Sequence, residues 1–202
     1  MLVGMEIVKP KGLLLEIPDC PKEFFAYGDK SLLGRECLTV VGTRDISSYG
    51  RAVISLFLGE FLRDLGIVVV SGLARGVDGY VHRTCLKRGI QTIGVVPGGI
   101  DSAIPMENRD ICREMIKRNL VLAEYPAGTK MSKYMFIQRN RILAGMSKST
   151  IVIEAGEKSG SLTTAKLALD YNRDVYVVPG NITSPVSKGC NILAREGANI
   201  LT

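Results

Sequence analysis

An uncharged, β-branched run at residues 38–41, Leu-Thr-Val-Val, ends at Gly42, and beyond it the period of the apolar positions changes. Ile54, Phe57, Leu58, Phe61, Leu62 and Leu65 fall at i, i+3, i+4, i+7, i+8 and i+11, the spacing of one helix face laid on a sheet. Another short apolar run follows at once, closing a β-α-β crossover. The alternation continues to the C-terminus. It predicts strands at 38–42, 67–71, 91–96, 119–124, 149–154 and 174–178, with a weak one near 199–201. Helices are expected at 49–65, 77–88, 106–118, 133–146, 161–171 and 188–196. Short, Gly-rich connections between them imply a doubly wound, mostly parallel α/β sheet with helices on both faces. Residues 1–36 break the pattern with Pro10, Pro18 and Pro21 and two brief apolar runs, and read as an arm with one or two strands on the sheet edge, residues 37–202 forming the main domain.

Composition narrows the class. Hydrophobic residues make up 46% and charged ones 23% of the 202 residues, the balance of a well-cored soluble domain. Apolar runs are strand-length, so no membrane span is expected, and the N-terminus has no signal-peptide core. Cys20, Cys37, Cys85, Cys112 and Cys190 are odd in number, widely spaced and form no CxxC, which argues against a disulfide framework or a zinc site and for reduced thiols in the cytoplasm. The net charge is +6, and residues 129–148 hold Lys130, Lys133, Arg139, Arg141 and Lys148 with no acid. Such a strip fits a polyanion partner; it equally fits a solvated basic face.

Ligands of doubly wound sheets bind beyond the carboxyl ends of the strands, and the unusual residues gather there. Gly42-Thr43-Arg44 is a strand-to-helix turn with free N–H groups and a cation, half of a phosphate site. SGLARGVDG at 71–79, PGGID at 97–101 and AEYPAGT at 123–129 follow the next strands. EAGEKSGSLTTA at 154–165 opens a helix with Ser159, Gly160, Ser161, Thr163 and Thr164, a second phosphate cradle or simply a serine N-cap. Neither GxGxxG nor GxxxxGK[ST] occurs, so dinucleotide and ATPase readings lack their motifs. On the helix expected at 133–146, Lys133, Phe136 and Asn140 share a face suited to a nucleic-acid backbone and a stacked base. Arg139 falls in the apolar stripe, where it would pair with a buried carboxylate such as Glu154 or Asp78. His82, the only histidine, lies one turn after Asp78; no nucleophile accompanies them, so a structural hydrogen bond joining Asp78, His82 and the loop backbone is expected.

VGTRDISSYG, SGLARGVDGYVH, GGIDSAIPMEN, AEYPAGT, FIQRNRILAG, IVIEAGEKSGSLTTAKLA and DVYVVPGNITSPVSKGCNIL, in this order, resemble the blocks of the DNA-processing protein A (DprA/Smf) family. The resemblance runs from about residue 24 to the end. It implies an extended Rossmann-like domain without catalytic step or cofactor, which binds single-stranded DNA, forms a homodimer, protects incoming strands in natural transformation and helps load the RecA recombinase. Carried over by position, the DNA-binding residues are Gly42, Thr43, Arg44, Gly98, Gly99, Lys133, Phe136, Asn140, Arg141, Gly160, Ser161 and Thr164. Asp78, His82, Arg139 and Glu154 are expected as structural support. The usual proline ahead of Arg139 is absent, Ile104 replaces an aromatic, and Val81 an alanine. The appended helical and winged-helix-like domains of many members are not expected, and their functions are not transferred. Two other classes compete. PGGID keeps the glycines of nucleotide-hydrolysing phosphoribohydrolases resembling lysine decarboxylases, but not their following Gly-Thr and Glu. A pure interaction module would use the basic strip or the apolar C-terminal helix, with Ile192 and Leu193, for a protein partner.

Overall fold

A computed structural model describes residues 4–202. Its centre is the parallel set β3 (Cys37–Val41), β4 (Val68–Ser71), β5 (Thr92–Val96), β6 (Leu120–Ala123), β7 (Ser149–Val152), β8 (Asp174–Val177) and β9 (Asn199–Ile200). Before them come β1 (Met5–Val8) and β2 (Phe24–Gly28), which extend the sheet antiparallel along β6. The order is β1-β2-β6-β5-β4-β3-β7-β8-β9. The central strands are buried on both faces, which is why they read as continuous apolar runs rather than alternating ones.

Helices cover both faces. On one lie α1 (Ser48–Phe57), α2 (Glu60–Asp64), α3 (Val77–Arg88) and α4 (Arg109–Arg118). On the other lie α5 (Lys133–Gly145), α6 (Gly160–Asp170) and α7 (Lys188–Arg195). The arm joins this second face: Leu14 and Ile17 are buried, and a Cβ on Gly145 of α5 would stand 2.7 Å from Ile17 and 3.0 Å from Leu14. The bare backbone at Gly145 therefore lets the arm approach α5.

The helix expected at 49–65 is two helices, broken at Gly59. Leu58 makes the last helical bond, to the Ile54 carbonyl, and glycine lowers the cost of leaving the helix there. Arg88 of α3 donates to the freed Leu58 carbonyl at 2.6 Å. Ile54, Leu58 and Leu62 keep the buried phase through the break, each contributing about 1.5–3 kcal/mol. Phe61 and Leu65, expected on the same face, are exposed, because the non-helical backbone at Leu58 and Gly59 interrupts the helical phase.

Candidate nucleic-acid interface

From β3 the chain lays β4, β5 and β6 to one side, then returns to β7 on the other side of β3. The loops leaving β3 and β7 diverge at this switch point and open a cleft of about 490 Å³. Gly42, Thr43 and Arg44 form one wall, the N-terminus of α6 the opposite wall, and α5 the third side.

The Gly42–Arg44 turn is held on both flanks. Thr43 donates its N–H to the Glu154 carbonyl at 2.6 Å and accepts at its own carbonyl from Val77 N–H at 3.0 Å. Gly76 packs against it with φ 74°, where a Cβ would overlap the Thr43 and Arg44 carbonyl oxygens. Glu154 is buried and receives Ser47 N–H at 2.9 Å and the Ser47 hydroxyl, placing its charge at the positive end of α1. Glu154 is thus occupied by α1 and does not meet Arg139.

With the backbone fixed, the Arg44 side chain reaches across to α5, its guanidinium carbon 5.3 Å from the Phe136 ring centroid. Among the described residues no carboxylate lies within ion-pair distance of Arg44. A second cavity, about 120 Å³ and lined by Pro97, Ala103 and Pro105, lies beside the same ring; Arg44, Phe136 and Arg139 border both.

Arg139, one helical turn beyond Phe136, is buried where the two cavities meet. Its Nη1 donates to the carbonyls of Gly72 at 2.7 Å and Val95 at 2.8 Å, tying α5 to the ends of two strands. Asp78 stands beside Arg139 at Gly72, where a Cβ would strike both side chains, but the two are farther apart than ion-pair distance, so they interact through space across the bare glycine. Burial pushes the Asp78 carboxyl above its ordinary range, opposed by Arg139 and by the Ala74 N–H, which donates to it at 3.4 Å. Burial likewise lowers Arg139, opposed by Asp78. Of the two carboxylates offered by the sequence, Asp78 is the one at hand.

On the α6 wall, Ser159 caps the helix, accepting from Ser161 N–H at 3.4 Å and sharing a 2.7 Å bond with the Ser161 hydroxyl. Asn140 donates to the Gly160 carbonyl at 3.3 Å, so its amide braces this loop against α5. Thr164 is buried in the cleft floor, and a Cβ on Gly160 would meet nothing, leaving the helix end open to an approaching anion.

Not every expected residue reaches the cleft. Lys133 is exposed on the first turn of α5 but lines neither cavity. Gly98 and Gly99 are buried: a Cβ on Gly98 would overlap the Met131 sulfur, and one on Gly99 would stand 2.6 Å from the Pro126 carbonyl oxygen. Their lack of side chains accommodates the 126–131 loop, not a ligand at the cleft. Arg141, two residues beyond Arg139 and so on the far side of the helix, is buried against Asp19 at 3.1 Å and Glu124. Lys158 and Arg75, which line the larger and the smaller cavity, were missed; each is a single cation in a glycine-bearing loop, outside the basic strip.

His82 does not bond to Asp78. Its Nδ1 meets the Thr92 hydroxyl at 2.8 Å, and that hydroxyl donates to the Val69 carbonyl at 2.7 Å, so the imidazole is the donor at Nδ1. Burial pushes its pKa down to about 3. The folded state therefore holds His82 neutral while the unfolded chain takes up a proton below about pH 6.5. Stability is present above that pH and is expected to fall on acidification by up to about 1.4 kcal/mol per pH unit. Urea midpoints at about pH 7 and pH 5 check this; a His82→Gln chain should show a flatter profile, and equal slopes would contradict the assignment.

The DNA recombination-mediator protein A family matches residues 9–202. The chain belongs to this family. Among relatives, DNA processing protein DprA of Bacillus subtilis is 42% identical over 190 residues, covering 93% of this chain and 63% of the relative. Protein Smf of Escherichia coli is 36% identical over 190 residues, covering 94% and 50%. The chain thus spans about half to two-thirds the length of these curated relatives. The crystal structure of DNA processing protein A from Streptococcus pneumoniae superposes with a TM-score of 0.90 at 35% identity, covering 100% of this chain and 72% of that one. A structure of DNA processing protein A from Helicobacter pylori, concerned with its single-stranded DNA binding mode, gives 0.87 at 29% identity, covering 97% and 90%. A molybdenum cofactor binding protein of Rippkaea orientalis, 17% identical with a TM-score of 0.55 over 83% of this chain and 90% of its own, shares the fold alone. The doubly wound, mostly parallel Rossmann-like sheet read from the sequence is the architecture of the DprA structures.

Proposed function

We propose that this chain is a non-catalytic, sequence-tolerant binder of single-stranded DNA in DNA processing and recombination, and that the strand runs through the switch-point cleft. The observation that carries the reading is Arg44: a cation without a carboxylate partner among the described residues, standing over an aromatic ring and facing an open helix N-terminus. Cation, ring and free N–H groups serve phosphate, base and phosphate in turn. Phosphate contacts and stacking carry little choice of base, so binding is sequence-tolerant and sensitive to salt. The DNA processing protein A structure concerned with single-stranded DNA supports the same ligand class. Protection of incoming strands, delivery to the RecA recombinase and homodimerisation belong to this proposal and rest on family membership.

Fluorescence anisotropy of labelled oligo-dT against duplex, over a salt series, tests it. The single strand is expected to bind more tightly than duplex. Arg44→Ala and Lys133→Ala should each weaken binding to all sequences alike and reduce the slope of log K against log salt by about 0.7–1. Arg141→Ala should leave the slope unchanged while lowering stability by about 1–3 kcal/mol, because Glu124 then loses its partner. Unchanged slopes in both Arg44→Ala and Lys133→Ala would refute the site.

A further inference from the structure

We infer that Arg44 and Phe136 form an exchangeable pair that selects for unpaired bases: in the free protein the guanidinium covers the ring, and on binding a base takes its place while Arg44 turns to a phosphate. The inference rests on the single-strand reading above and adds to it a mechanism of discrimination. Two demands meet at one point. Arg44 stands over a face of the Phe136 ring that borders the cleft, at 5.3 Å from the centroid, so a base stacking there would have to take its place. The cation that a phosphate would use is the same Arg44, which has no counter-charge within ion-pair reach among the described residues. The pair borders both cavities, so a strand passing between them has to part it.

The backbone contributes no freedom to this exchange. The turn is pinned by the Thr43 bonds and by Gly76, so the side chain of Arg44 moves alone, about its own rotamers. An exposed cation–π contact is weaker than a base–aromatic stack combined with a charge-assisted phosphate bond, so a strand that supplies both displaces it. A base paired and stacked in a duplex cannot supply the first without leaving its helix. A phosphate alone uncovers the ring but leaves it unstacked. Single strands are thus favoured over duplex at the ring itself, beyond any difference in charge density.

The chain contains no tryptophan, so Phe136→Trp introduces one indole reporter at the site. The probes are deoxythymidine, which is uncharged, and oligo-dT, with emission and anisotropy read in parallel. In the Phe136→Trp chain, removing Arg44 (Arg44→Ala) should have opposite effects on the two ligands. Deoxythymidine should quench the indole at several-fold lower concentration, because the ring is uncovered, while oligo-dT should bind several-fold more weakly, because a phosphate contact is gone. Deoxythymidine quenching that is unchanged or weaker without Arg44 would overturn the exchange. Anisotropy that shows strand binding while the indole stays silent would overturn it too, leaving the single-strand reading in place. Absence of strand binding by anisotropy would remove both. The unsubstituted chain offers a second readout by NMR: the Arg44 Nε–H resonance, identified by its loss in Arg44→Lys, should be shifted by the ring current and should relax toward its exposed position when oligo-dT is added. A resonance that does not move on strand binding contradicts the exchange independently of the tryptophan variant.

Discussion

Replacing Arg139 with methionine is expected to destabilise the fold by about 3–5 kcal/mol, more than any other change at the cleft. The reason is what it leaves behind. Asp78 is buried at 6% exposure, and the nearby Arg139 charge, just beyond ion-pair distance, opposes the burial that pushes its carboxyl upward. The carbonyls of Gly72 and Val95 lose a donor at the same time. Adding Asp78→Asn to Arg139→Met should recover part of the loss, since no charge then remains to be buried. The single variant should also carry a pH signature. With its cation gone, Asp78 titrates higher still, so the folded state prefers it protonated, and stability should decline as pH rises through that range. Urea denaturation of both variants across pH measures each effect. If the double variant is no more stable than the single one, the loss comes from the severed carbonyl bonds and not from a stranded charge.

Gly76→Ala is expected to abolish strand binding at least as fully as Arg44→Ala, although Gly76 touches no ligand. At φ 74° with ψ −123° a side-chain-bearing residue is strained by about 1–3 kcal/mol, and its Cβ would overlap the backbone of Thr43 and Arg44. Since those atoms are backbone, relief requires moving the turn, which carries Arg44 away from Phe136. Gly160→Ala is the matched control: its Cβ would meet nothing, so stability should hold or rise slightly at the helix start. Melting curves and anisotropy on the two variants compare them. Near-normal affinity in Gly76→Ala would mean that the Arg44 turn need not be held rigidly.

Much of this architecture was legible because the signals are local. Uncharged β-branched runs ending in glycine mark strands whatever they pair with, and the loops after them mark the ligand end of a parallel sheet. Arg44 and Ser161 were singled out in that way, and Phe136 by its place on the face of the expected helix at 133–146; the structure brings all three to one cleft. What escaped depends on partners distant in sequence. Spacing alone put His82 with Asp78, while its actual partner, Thr92, arrives from the neighbouring strand. Arg141 sits in a strip of positive charge, yet on the far side of α5 it is paired with Asp19, more than a hundred positions away, and with Glu124. The break at Gly59 was hidden because Ile54, Leu58 and Leu62 stay in phase across it.

The arm's grip on the second helical layer also has a consequence in time. Tyr171 bonds to Asp19, and Arg173 to the Leu13 carbonyl and Glu16, across 152 to 160 positions of sequence. At ordinary rates of translation those partners emerge from the ribosome on the order of 10–30 s apart. Until then the arm lacks its bonds to the end of α6, so the layer that walls the switch-point cleft is among the last parts of the nascent protein to take shape.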